Sequence, residues 1–133
     1  MQLKLSDPSL LKNQAYIDGQ WVDADNGATF DVTNPANGEL ITAVARAGTA
    51  ETNRAVAAAS AAMAQWARKP AKARAGILRK WFDLMMQNQE DLAILMTAEQ
   101  GKVLAESRGE IAYGAAFVEW FGEEAKRIDG DVI

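Results

Sequence analysis

The period of the apolar positions changes at Gly48. Before it, short apolar runs alternate with turn signals; after it, apolar residues recur every three or four positions. In the first part, Ala15-Tyr16-Ile17 and Gln20-Trp21-Val22 flank Asp18-Gly19. That is strand, tight turn and strand, because Asp-Gly adopts the positive φ values a two-residue hairpin turn needs. Residues 23–28 form a polar loop with Asn26-Gly27 as a second turn signal. Residues 30–33 and 40–45 read as a third and a fourth strand. Between them Pro35 sets φ for a turn and Gly38 is free to go left-handed. Residues 8–14 have room for one helical turn.

After Gly48 the pattern predicts four helices. Thr49 is a good N-cap, and Glu51 sits in the first turn, where a carboxylate complements the helix dipole. Val56, Ala59, Met63 and Trp66 follow at helical spacing until Lys69-Pro70 breaks the run, with Pro70 suited to N1 of the next helix. Ile77, Leu78, Trp81, Phe82 and Met85 give that second helix its apolar face, to about Gln87. Asn88 can cap a third helix with Leu92, Leu95 and Met96 inward and Gly101 as its C′ residue.

The fourth helix carries two stripes. Leu104, Ile111, Ala115, Val118, Ala125 and Ile128 form one; Tyr113, Phe117 and Trp120, with Phe121 beside them, form another. A surface helix needs a single apolar stripe, so one with two is normally buried on more than one side. It runs to about Asp129-Gly130, and Asp131-Val132-Ile133 reads as the entry to a further strand. The fold class is α+β, a small antiparallel β region followed by four helices. No repeat, low-complexity segment or linker divides it.

Composition narrows the chemistry. At 133 residues, 49% hydrophobic and 24% charged, the chain has the make-up of one globular domain. It has neither cysteine nor histidine. Disulfides, Cys/His zinc sites, a Cys nucleophile and the usual neutral-pH proton shuttle are therefore excluded within these residues. The alanine-rich run at 55–64 is too weak for a membrane span, and residues 1–13 lack the apolar core of a signal peptide. The expected setting is cytoplasmic, with no membrane partner.

The net charge of −4 is segregated. Arg54, Arg68, Lys69, Lys72, Arg74, Arg79 and Lys80 lie in a stretch from 52 to 82 with no acid, and acids dominate afterwards. A basic stretch with Trp66 and Trp81 invites a nucleic-acid reading. The tryptophans, however, fall in register with the apolar stripes, which makes them core positions, and no glycine-rich phosphate loop accompanies them. A solvated basic face and no nucleic-acid partner are expected.

The remaining motifs are weak taken singly. Gly101-Lys102 lacks the rest of a Walker loop. Lys102 follows a helix-ending glycine and is expected to be solvated rather than a Schiff-base nucleophile. Glu123 and Glu124 are adjacent, so they point about 100° apart on a helix and do not face each other as a catalytic pair. Asp129-Gly130-Asp131 is only a fragment of a calcium loop.

Taken together, the order of the motifs says more. YIDGQWV at 16–22, VTNPANGE at 32–39, ILRKWF at 77–82, LMM at 84–86 and LMTAEQGK at 95–102 are followed by AE at 105–106 and GEIAY at 109–113. FVEWF at 117–121, EEAKR at 123–127 and GD at 130–131 complete the series. The sequence resembles the amino-terminal portion of NAD(P)-dependent aldehyde dehydrogenases, and within them most nearly the bacterial succinate-semialdehyde dehydrogenases. Val103 departs from the family, which usually has proline after Gly-Lys.

The resemblance implies an incomplete domain. Residues 1–133 would be the amino-terminal part of a nucleotide-binding domain, with a β-hairpin region at 1–47 and a helical region at 48–130, the Rossmann-like sheet itself missing. Family members are several times longer and form dimers or tetramers. In them a cysteine attacks the aldehyde, hydride passes to NADP or NAD, and a glutamate activates the water that releases the acid. Their catalytic and dinucleotide-binding residues come later than Ile133. The fragment alone is therefore expected to bind no dinucleotide and turn over no aldehyde. Many members also hold a monovalent or magnesium ion, which by motif match would use the Thr33 carbonyl and Glu99, with a third ligand past Ile133. The alternative from another class is a non-catalytic, truncated helical module that associates with full-length subunits.

Overall fold

The computed structural model describes residues 3–127. After a 3-10 turn at Pro8–Leu10, β1 (Ala15–Ile17) pairs antiparallel with β2 (Gln20–Val22). Asp18 and Gly19 both have positive φ, 51° and 79°, as the tight turn demands. β3 (Thr29–Thr33) pairs antiparallel with β4 (Leu40–Ala45), with an irregularity between Val32 and Thr33. The β region is thus two separate two-stranded sheets.

Four helices follow: α1 (Thr49–Arg68), α2 (Ala71–Gln87), α3 (Gln89–Gln100) and α4 (Leu104–Glu124). The α+β class and the strand and helix order expected from the pattern are all present. Details of the caps differ. Gly48, not Thr49, precedes the first helical residue, and Pro70 is the N-cap of α2 rather than its N1. Asn88 is the N-cap of α3, as expected, and the C-cap of α2 as well; its side chain donates to the Leu84 carbonyl of α2 and makes no bond to the α3 amides. Gly101 ends α3 at φ 81°, the left-handed C-cap expected of it.

The core lies where α4 crosses α2 and α3. Ala75 and Gly122 are buried at the α2–α4 crossing, and Ala115 is buried two turns earlier on α4. A Cβ added to Gly122 would come within 3.2 Å of Leu78 Cβ, so the glycine is what lets the two backbones approach. On the α3 side, Leu95, Ala93 and Ala98 are buried, and the fully buried Ser107 shares a 2.8 Å hydrogen bond with Thr97. This is the first of the two α4 stripes: Ala115 is buried and Leu104, Ile111, Val118 and Ala125 are half-buried. α4 ends at Glu124, earlier than expected, and closes with short-range bonds from Lys126 to Glu123 and from Arg127 to Glu124. Ile128, Asp129-Gly130 and the strand entry at Asp131-Val132-Ile133 lie outside the described residues, as does the calcium-loop fragment.

The placing of Trp66 and Trp81 in the core is overturned. They are 36% and 55% exposed, and Val56, Met63 and Ile77 on the same stripes are also exposed. Periodicity marks which face of a helix is apolar, but no element among the described residues covers these faces. The second stripe of α4 is equally open, with Tyr113, Phe117, Trp120 and Phe121 all exposed. The chain's accessible surface is 9470 Å² for 14.4 kDa. A self-contained globule of that mass exposes about 6,800 Å², so roughly 2,600 Å² is in excess.

Candidate functional site

Two places hold groups that could act on something outside the chain. One is the corner where the β3–β4 turn meets the end of α3. Asn34 organises that turn: its carbonyl accepts from Gly38 N–H at 2.7 Å and its side chain accepts from Ala36 N–H at 2.9 Å. Gly38, at φ 73°, closes it. The turn is pressed onto α3, since a Cβ added to Gly101 would lie 2.9 Å from Pro35 Cγ. Only glycine is tolerated there on two counts, the left-handed φ and the space.

Thr33 and Glu99, the residues expected at an ion site, sit on the two elements that meet here. Thr33 ends β3 and Glu99 lies in the last turn of α3; both are exposed. No basic residue lies in that last turn. A carboxylate at the negative end of a helix is poorly placed unless a cation is near. Among the described residues no three acidic side chains cluster closely enough to hold a metal unaided. The next residue but one past Gly101 is Val103, the N-cap of α4, with φ −70°.

Lys102 is not the solvated lysine expected from its place after Gly101. Its side chain is only 16% exposed and forms an ion pair with Glu110 on α4. It thereby ties the α3–α4 turn to the second turn of α4. Glu123 and Glu124 do behave as surface charge, paired with Lys126 and Arg127.

The other place is the open face of α4. Tyr113, Ala116, Phe117, Trp120 and Phe121 line an apolar hollow of about 320 Å³. Tyr113 and Phe117 are already set edge to face, with centroids 4.9 Å apart and planes at 90°. No acidic or basic side chain lines the hollow, and its chemistry is that of a docking surface.

Two carboxylates have structural roles that pattern reading does not reveal. Glu51 accepts from Asp25 N–H at 2.7 Å and from Gly48 N–H at 3.0 Å. The Asp25 amide, then its own and that of Gly48, hold its pKa below the ordinary glutamate range. Asp25 in turn grips Arg54 through two 2.7 Å bonds, which lower its own pKa. Asp91, buried in the first turn of α3, accepts from Ser6 N–H at 2.9 Å and Asp7 N–H at 2.7 Å. Its first-turn position was visible in the sequence; partners 84 and 85 residues away were not.

The sequence model of the aldehyde dehydrogenase family matches residues 21–133. The chain belongs to that family. Over 131 residues it is 61% identical to the glutarate-semialdehyde dehydrogenase of Pseudomonas aeruginosa, covering 98% of this chain and 27% of that one. It is 56% identical, with the same coverage, to the NADP(+) succinate-semialdehyde dehydrogenase of Escherichia coli. Among solved structures, an aldehyde dehydrogenase from Brucella melitensis biovar abortus superposes with a TM-score of 0.97 at 55% identity, over 99% of this chain and 27% of the other. The chain therefore spans about a quarter of the length of the aldehyde dehydrogenases it matches, and its fold is a portion of theirs. No described helix is long and apolar enough to cross a membrane.

Proposed function

We propose that these 133 residues are the amino-terminal portion of an oxidoreductase that converts a small aldehyde with a carboxylate at its other end into the diacid. Succinate and glutarate semialdehyde are the candidate substrates, NADP or NAD the oxidant, and water the source of the added oxygen. What carries the reading is an identity of 56–61% to semialdehyde dehydrogenases that runs through 98% of this chain while covering 27% of theirs. The excess exposed surface and the open faces of α1, α2 and α4 fit it, because a portion of a larger domain leaves such faces bare. On this reading the parent enzyme is a cytoplasmic homo-oligomer. The 133 residues contain no cysteine nucleophile, so they are inactive alone.

The test is a chimera in which these residues replace the matching segment of the Escherichia coli relative. It should reduce NADP with succinate or glutarate semialdehyde, whereas the 133-residue chain alone should not. A folded, soluble chimera that oxidises neither would sink the proposal, and so would NADPH formation by the chain alone.

We further infer a cation at the β3–α3 corner, held by the Thr33 carbonyl and Glu99, with other ligands from the rest of the enzyme. The donors are all oxygen, as a hard monovalent ion or magnesium requires. The close approach of Pro35 to Gly101 and the absence of a basic residue in the last turn of α3 support this reading. In the chimera, added potassium, sodium or magnesium should raise the melting temperature, and Glu99→Gln should abolish the response. A melting temperature indifferent to all three ions would rule the site out.

A further inference from the structure

We propose that Glu110 is a positioning residue for the cation at the β3–α3 corner: by holding the Lys102 ammonium against α4, it keeps that ammonium off Glu99. The inference rests on the cation reading given above and adds to it a residue outside the ligand set. Glu99 and Lys102 stand three residues apart on either side of Gly101, whose left-handed φ of 81° ends α3. The free carbonyls at that end of the helix carry partial negative charge, which attracts a nearby base. Lys102 is the first base past them. Local electrostatics alone would fold it back onto the α3 terminus, where it would neutralise Glu99.

The structure shows the opposite. The Lys102 side chain is mostly covered and is paired with Glu110, eight residues on in α4. Two acids nearer in sequence, Glu99 and Glu106, are passed over. Among the described residues of the helical part, these are the two acids whose carboxylates make no ion pair and no hydrogen bond. Glu99 is thereby left exposed and open to a cation from outside. An ammonium tethered three residues away competes at high effective concentration, so its placement decides whether an ion from solution can win. A covered ammonium that loses its carboxylate has to find another, because burial penalises an unpaired charge. With the Glu110 carboxylate removed, the unpaired Glu99 is the acid nearest to Lys102 in sequence.

The test uses the chimera described above, and its readout is the rise in melting temperature as potassium, sodium or magnesium is titrated in. Glu110→Gln should raise the ion concentration needed for half the effect about two- to fivefold, the competition that one solvated ion pair supplies. Adding Lys102→Met to that variant should bring the midpoint back to the parent value, a rescue that a merely structural role for Glu110 would not give. Glu90→Gln breaks a different α3–α4 link, the Arg108 bonds of 2.7 and 2.8 Å, and should leave the ion response unchanged. An unchanged midpoint in Glu110→Gln would overturn the proposal, since Lys102 would then have turned to Glu106 or to water. A double variant that stays impaired, or an equal loss in Glu90→Gln, would overturn it too. Should Glu110→Gln fail to fold, Lys102→Met alone decides, because a midpoint above the parent value would show that the lysine helps to hold the ion. A parent chimera indifferent to all three ions removes the cation site itself and this inference with it, a failure seen before any variant is made.

Discussion

α1 and α3 are helices for different reasons. α1 is 20 residues long, yet Glu51 is its only buried residue. α3 is 12 residues long and buries Asp91, Ala93, Leu95 and Ala98. Alanine has the highest helix propensity, and a length near twenty residues lets local hydrogen bonds outweigh the cost of nucleation. α1 can thus form with one face bare. A helix of about twelve residues is marginal in water by itself, so α3 depends on α4 and on the strap of chain that Asp91 holds across it. Helix length says little about where the stability of this chain resides.

That contrast predicts a gradient of mutational sensitivity. Leu95→Ala removes the largest buried side chain of α3 and should destabilise by about 2–5 kcal/mol. Thermal or urea unfolding would show it, and a loss under 1 kcal/mol would mean α3 is not the anchor. Asp91→Ala leaves the Ser6 and Asp7 amides without their acceptor and should cost about 1–3 kcal/mol. Hydrogen exchange should quicken at those two amides first. If protection there is unchanged, the strap is held by something else.

Acid should loosen the α1 side. The folded-state pKa of Glu51 lies below its unfolded value. Its contribution is therefore fully present above the ordinary glutamate range and is lost as pH falls through the lowered folded value. Amide exchange at Asp25 and Gly48 should accelerate on that descent, and Glu51→Gln should remove the pH dependence. Acceleration on the alkaline side would contradict the assignment.

Two small effects complete the gradient. Val103 holds φ −70°, which is proline's own value. Val103→Pro, the residue usual in the family, should stabilise by about 0.4–1 kcal/mol by restricting the unfolded chain. A fall in melting temperature would show that the Val103 amide is needed. Met63→Ala on the bare face of α1 should change stability by less than about 0.5 kcal/mol. A larger loss would mean that the face is covered in solution, and the contrast between the two helices would fail.

Much of the fold was legible because its signals are local. Asp18-Gly19 dictated the first hairpin, Gly38 the second turn, Lys69-Pro70 the break between α1 and α2, and Gly101 the end of α3. Each depends on φ preferences or a missing donor, which act within a few residues. The two stripes of α4 were legible for the same reason, since side-chain periodicity is a property of the helix alone. The family, too, could be read from the order of motifs. The candidate ion site was visible only as Thr33 and Glu99 in separate motifs, with nothing in their spacing to bring them to one corner.

What tertiary structure decided is which apolar face finds a partner. Trp66 and Trp81 look like core residues in the sequence and stand exposed in the fold, while Ser107, polar and unremarkable in sequence, is wholly buried against Thr97. The long reach of Asp91 to Ser6 and Asp7, and of Glu51 to Asp25, belongs to the same class. A residue's pattern states what environment it suits. Only the three-dimensional placement of distant chain decides whether that environment is supplied, because burial is a property of neighbours and not of the residue itself.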